Sequence, residues 1–406
     1  MATVAVLGGA GGIGSTAVRA LACFEEVGSV TVADRDLAGA SRLVDEVGDD
    51  RLEAVGFDAA SPQTLSAALR GADAVVNCVG PFYRFGPPIL EAAIEAGVAY
   101  VDVCDDLDAT VRMLEMDGRA RERGVRALIG MGNSPGLANV LVRFCADHLL
   151  DRVDGAEIMH VHGGEPDEGP AVIKHRIHAM TNDVPLFVDG EFVSVRMLEE
   201  SARPFLREVD FPDVGTCTVY PYPHPETITL PRHIEGISRA TNLGVVVPFP
   251  YFELTMDAVR LGICGEREVE VAGTGVPAID FAVAFIRSRR PGLLAEAGIA
   301  GPRGCLKVEV SGTRGGERHL YEFTMSSGQR GAGEGTGIPA ALGAILMLRG
   351  AIGAEGVFPP EAAVVPTEMI ALAREVVPHF GIGGGLPLTL EHRDGSGAVE
   401  RVELPL

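Results

Sequence analysis

The chain has 406 residues, too many for one ordinary core, so two domains are expected. Hydrophobic residues make up 47% and charged residues 22%, a globular balance that excludes a disordered chain. The net charge of −22 repels phosphate backbones and excludes nucleic acid as a partner.

The seven Cys are scattered and form no C-x-x-C pair, which reads as buried free thiols in a reducing cytoplasm. The N-terminus shows no charged leader, and the longest uncharged apolar stretch, Gly335 to Leu348, is too short to span a bilayer. A cytoplasmic protein without a membrane partner is expected.

The first 130 residues alternate short apolar runs with helical patterns. Strands are predicted at Val4–Leu7, Val30–Ala33, Leu52–Phe57, Ala74–Cys78, Tyr100–Val103 and Ala127–Ile129. Helices are predicted between them at Ile13–Phe24, Leu37–Val47, Pro62–Leu69, Pro88–Ala96 and Asp108–Arg123, with Ser61 as an N-cap and Gly97 as a stop. Strict alternation implies an α/β fold with a Rossmann-type doubly wound parallel sheet. From Gly155 to Tyr321 the pattern changes to strands separated by Pro-rich turns. They lie at Glu157–His162, Phe192–Val195, Thr216–Tyr220, Glu268–Ala272, Lys307–Ser311 and His319–Met325. This second domain is read as α+β with a mostly antiparallel sheet. Helices return at Ile338–Ile352 and Pro366–Val377, and a hairpin turning at Asp394-Gly395 closes the chain.

Gly8-Gly9-Ala10-Gly11-Gly12-Ile13-Gly14 follows the first strand and opens the first helix. Gly9, Gly11 and Gly14 fit G-x-G-x-x-G: a tight turn, close approach of a pyrophosphate, and close helix–strand packing. The phosphates would rest on helix N-terminal amides, with Ala10, Gly12 and Ile13 completing the contact. Asp34 ends the second strand twenty residues after Gly14, where a carboxylate accepts ribose hydroxyls and repels a 2′-phosphate. This favours NAD as cofactor, while the adjacent Arg35 keeps NADP open. Asp58 ends the third strand near the adenine edge. Cys78-Val79-Gly80-Pro81-Phe82 ends the fourth, on the side where open α/β sheets bind ligands, and should border the nicotinamide.

On these residues the chain resembles the saccharopine dehydrogenase-like family, in the branch of lysine 6-dehydrogenase and carboxynorspermidine dehydrogenase. The resemblance rests on Gly8–Gly14, Val32–Arg35, Gly71–Asn77, Gly80–Phe82, Ala96–Asp102, Ser134–Asn139, Thr336–Pro339 and Gly356–Glu361. It implies a discontinuous dinucleotide-binding domain, residues 1–133 and 335–385. It also implies a substrate-binding and dimerisation domain at 134–334, leaving 386–406 as the C-terminal hairpin. The implied reaction is hydride transfer between NAD(P) and an amine or imine carbon of an amino-acid-derived substrate, in a homodimer. The middle of the chain matches loosely, so the substrate is left open.

Candidate catalytic groups are Asp102, at the end of the fifth strand, and His224, in a segment resembling one that borders the pocket in relatives. Candidate substrate contacts are Phe82, Asn133, Lys174, His178 and Arg232; Lys174, His175 and His178 form a basic cluster suited to a substrate carboxylate. His160 and His162 alternate on a strand, but no further ligand completes a set, so no metal is assigned. Two other readings stay open: a carbonyl or enoyl reductase, and a non-catalytic dinucleotide sensor.

Overall fold

The computed structural model describes residues 1–327, 332–382 and 386–404. Six early strands, β1 (Ala2–Leu7), β2 (Val27–Asp34), β3 (Leu52–Gly56), β4 (Ala74–Asn77), β5 (Ala99–Asp102) and β6 (Arg126–Leu128), lie where the apolar runs placed them. They form a parallel sheet of seven strands, because Gly356–Phe358 pairs with β6 from far down the chain. That strand has only three residues, too few to show a period, and was not predicted. Chain order runs outward from β1 in both directions, to β2–β3 and to β4–β6. The reversal point between β1 and β4 is the crevice where such sheets bind ligands.

Several helices differ from their predicted spans for local reasons. The helix predicted from Pro88 starts at Phe82, and Pro87 and Pro88 fall within its early turns. The predicted Asp108–Arg123 helix is two, Leu107–Leu114 and Asp117–Glu122, so the apolar spacing continued across a break.

The helix Ala332–Leu348 packs on the first helix, Gly12–Leu21, through glycines. A Cβ at Gly337 would meet the Ile13 carbonyl oxygen at 2.5 Å, and one at Gly333 the Gly12 oxygen at 2.7 Å. Leu342, Ile345 and Leu346 on this helix are buried in the core under the parallel sheet. Truncating one of them to Ala costs about 2–5 kcal/mol.

The second sheet has ten strands. They are β7 (Arg152–Gly163), β8 (Val184–Val188), β9 (Glu191–Val195), β10 (Arg207–Phe211), β11 (Gly215–Pro221), β12 (Arg239–Val247), β15 (Arg303–Arg314), β16 (Glu317–Ser326), β18 (Thr389–Arg393) and β19 (Val399–Val402). Here β13 (Glu268–Val271) and β14 (Thr274–Pro277) form a separate two-stranded hairpin, and β17 is the strand Gly356–Phe358. Pairing is antiparallel throughout except for β7 with β12. The central strand β12 escaped prediction because it is covered on both faces and shows no alternation. The C-terminal hairpin extends this sheet through β16. Residues 383–385 and 405–406, at the ends of two predicted units, lie outside the described residues.

Candidate active site

The glycine loop is built as its sequence implied. Gly8 turns with φ +77°, and Gly14 sits so close under the loop that a Cβ would collide with the Gly8 carbonyl oxygen. The helix Gly12–Leu21 has Gly11 as N-cap and no capping side chain. Its first amides are therefore suited to an anion, and a Cβ at Gly12 would meet nothing within 4 Å. Asp34 accepts hydrogen bonds from the Ala10 amide at 2.9 Å and the Asp36 amide at 2.9 Å. One lone pair on each oxygen remains for a ribose hydroxyl. Arg35 is exposed beside it. These residues fit a dinucleotide, which would supply a hydride acceptor or donor at its nicotinamide.

The fourth-strand loop lies against the glycine loop: a Cβ on Gly8 would stand 3.0 Å from the Cys78 carbonyl oxygen. Burial pushes the Cys78 thiol up to about 12, so it is no nucleophile at neutral pH. The Val79 amide donates to Asn77 at 3.0 Å. A Cβ on Gly80 would touch Ala171 of the helix Pro170–Thr181 at 3.3 Å. One turn further along that helix is His175. The loop after β4 thus touches the helix of His175 at Ala171.

There the structure gathers groups from seven separate segments. The His175 ring is 2.7 Å from Asp106 through Nδ1 and 3.4 Å from Asp105 through Nε2. Burial opposes its charge, but the two aspartates prevail and raise it to about 9, against the nearby Arg176. Asp106 also accepts from the Tyr83 amide at 2.8 Å, and the Tyr83 ring stacks on His178 at 4.2 Å. Deeper, the Ser134 hydroxyl donates to Glu226, and Asn242 donates to Ser134 at 3.1 Å and Glu226 at 3.2 Å. His224 Nδ1 lies 3.5 Å from Ser134 and 3.8 Å from Glu226 Oε2, an oxygen with no hydrogen-bond partner. Burial raises Glu226 to about 7. Burial and the neighbouring His160, His175 and His162 hold His224 well below the ordinary histidine value, so its ring is neutral. His160 stacks on His224 at 5.1 Å and bonds Asn242 at 3.1 Å. Gly244, opposite His160 on β12, leaves the space its ring fills.

The predicted site residues separate into groups. His224, His178 and Asn133 lie at this junction; the Asn133 Oδ1 is buried without a partner and can accept from a ligand amide. Phe82 is buried at the start of its helix. Lys174 turns away to pair with Asp280 at 2.7 Å, Arg232 is exposed, and Asp58 is an exposed turn residue bonded to the Ala60 amide. Asp102 is wholly buried beneath the sheet end. It accepts from Tyr100 at 2.8 Å, Cys104 at 3.0 Å and Gly130 at 2.7 Å, and burial raises it to about 6. Its carboxylate ties the ends of β5 and β6 together. Asp105, Asp106 and Asn242 sit in no motif that marks them in the sequence, and Glu226 is marked only by its place two residues after His224.

Asp105, His175 and His224 each offer a ligand atom, all within 4.8 Å of one another, a spacing near that of a metal set. A ligating imidazole needs the lone pair that His175, held between two carboxylates, gives to a proton. The arrangement suits proton handling better than a cation.

Residues 4–128 match the family model described as saccharopine dehydrogenase NADP binding domain. The N-terminal third of the chain thus matches the dinucleotide-binding domain of that family. The chain is 24% identical over 380 residues to carboxyaminopropylagmatine dehydrogenase of Synechocystis sp., covering 88% of this chain and 92% of that protein. It is 24% identical over 250 residues to carboxynorspermidine synthase of Vibrio alginolyticus, covering 56% and 59%. The structure of saccharopine dehydrogenase (L-Glu forming) from Saccharomyces cerevisiae shares the fold, with a TM-score of 0.66 at 16% identity over 97% of this chain and 100% of that one. The chain is an NAD(P)-dependent oxidoreductase.

The motifs behind the resemblance meet in space. Thr336–Pro339 packs on the glycine-loop helix, and Asn139 donates to Glu361 at 2.8 Å across 222 residues. No helix among the described residues is long and apolar enough to cross a membrane.

Proposed function

We propose that the protein transfers a hydride between NAD(P) and the nitrogen-bearing carbon of an amino-acid-derived amine, with imine formation or hydrolysis at the same carbon. One observation carries this reading: the nicotinamide border, Gly80, touches the helix of His175 beside the buried Ser134–Glu226–His224 group. Amine oxidation needs a base for the nitrogen proton, and imine hydrolysis needs one for water. The neutral His224 ring and the Glu226 carboxyl, near 7, serve these ends. Ser134 and Asn242 orient Glu226, and Asn133 holds an amide of the cofactor or substrate. The names of the relatives from Synechocystis and Vibrio support a carboxy-substituted amine.

Asp34 supports a preference for NAD over NADP, although the matching family model is described for NADP. We take residues 1–133 with 335–385 as the cofactor unit, supported by the pairing of Gly356–Phe358 with β6, and 134–334 as the substrate unit. Seven free cysteines support a cytoplasmic setting. Exposed Leu261, Val269, Val271, Phe281 and Phe285 support a homodimer formed by the second domain.

The test mixes the protein with NAD⁺ or NADP⁺ and saccharopine, carboxynorspermidine or carboxyaminopropylagmatine, and follows reduced-nicotinamide absorbance. At least one amine should give turnover. Activity confined to a carbonyl or enoyl panel run with NADH or NADPH makes the protein a reductase of that kind, and cofactor binding without turnover on any panel makes it a sensor.

A further inference from the structure

A polar route leads from the buried group toward water. Glu226 and His224 are 0% and 5% exposed, so a proton gathered there does not meet solvent directly. From Glu226 the Ser134 hydroxyl leads to His224 Nδ1. His224, His175 and Asp105 then offer polar atoms within 4.8 Å, a span that one water or one side-chain rotation closes. Asp105 keeps 35% of its side chain exposed. His175 and Asp106 line an open cleft of about 290 Å³ together with Asp108, His178 and Arg196.

We propose that His175, gripped by Asp105 and Asp106, is the exit of a proton relay that runs from Glu226 through Ser134 and His224 to this cleft. The inference rests on the amine-oxidation reading above. In that reaction the C–H electron pair leaves as hydride to the nicotinamide, and the nitrogen lone pair forms C=N. Water then adds to carbon, the C–N bond breaks, and carbonyl and amine products leave. The sum is amine + NAD(P)⁺ + H₂O → carbonyl + amine + NAD(P)H + H⁺, so each turnover delivers one proton that must escape. The groups facing His175 suit the task. Asp105 and Asp106 attract a proton to it from one side, and Arg176 and the neutral His224 face it from the second domain. Passing the proton from His175 to Asp105, whose side chain is partly exposed, places it at the edge of bulk water.

The test compares wild type, His175→Gln and Asp105→Asn on whichever of the three amines turns over. It measures the first-turnover rate of nicotinamide reduction and the steady-state rate, in weak buffer and with added imidazole at fixed pH and ionic strength. The relay requires that His175→Gln keep its first turnover within about threefold of wild type and lose steady-state rate by about tenfold or more. Imidazole should restore that loss and leave wild type unchanged. Asp105→Asn, a change on a partly exposed side chain, should show the same pattern more weakly. Wild-type steady state in both variants overturns the relay. So does a loss that the first turnover shares and imidazole leaves in place, which assigns His175 a structural role. Absence of nicotinamide reduction by wild type on all three amines removes the amine-oxidation reading, and the relay with it.

Discussion

The two halves of the site are assembled in opposite ways. The cofactor half lies within one βαβ unit: the turn at Gly8, the glycine under it at Gly14 and the carboxylate of Asp34 all lie within 27 residues. The proton-handling half draws Asp105 and Asp106, Ser134, His160, His175, His224 with Glu226, and Asn242 from segments spread over about 140 residues. The first is a local motif whose backbone geometry is forced by glycine. The second exists only once the two sheets have met. Binding of the dinucleotide should therefore survive damage to the second half, and steady-state turnover should not.

The strongest way to break this division is Gly14→Val. Its side chain would press on the Gly8 carbonyl, and NAD⁺ affinity should fall by about 100-fold or more in calorimetry, with a thermal melt to confirm folding. Next is Glu226→Gln, which should lower kcat by about 100-fold and leave NAD⁺ affinity within about twofold. A loss of NAD⁺ binding in this variant would show that the halves are not separable.

Glu226 also sharpens the comparison through pH. Its folded value of about 7 lies above the ordinary 4.5, so the folded state binds a proton that the unfolded chain releases. The stability this contributes is complete below about 4.5 and is lost as pH rises through about 7. Glu226→Gln should flatten that part of the stability profile in denaturant titrations across this range.

Smaller effects follow at the ribose end and outside the site. Asp34→Ala should weaken NAD⁺ about tenfold and narrow the gap to NADP⁺, measured by competitive titration. Unchanged NAD⁺ affinity would remove the ribose role of Asp34. Lys174→Ala and Arg232→Ala should stay within about twofold of wild type in kcat/KM, since Lys174 holds a partly exposed ion pair and Arg232 is exposed.

Legibility followed the same division. The strand–glycine–helix order, Asp34 and six of the parallel strands could be read because each signal is local and periodic. Asp102 is legible as a strand-end residue, but strand position alone does not say what its carboxylate bonds to. Lys174, His175 and His178 share one helix and were read together; only the fold shows that Lys174 turns to Asp280 while His175 turns to Asp105 and Asp106. Glu226 and Asn242 looked like ordinary polar residues, because their meaning lies in being buried against Ser134. The strand Gly356–Phe358 and its partner β6 are separated by more than 220 residues, a pairing no local pattern can announce.

The account joins both halves through one event, hydride passage from a nitrogen-bearing carbon to the nicotinamide of the dinucleotide whose pyrophosphate rests on the glycine loop. The direct measurement uses an amine substrate deuterated at that carbon, with product nicotinamide examined by mass spectrometry and NMR. The account requires the label at C4 of the reduced nicotinamide, with slowed first-turnover reduction. Product formation with the label released to water, or with none on the nicotinamide, would contradict it.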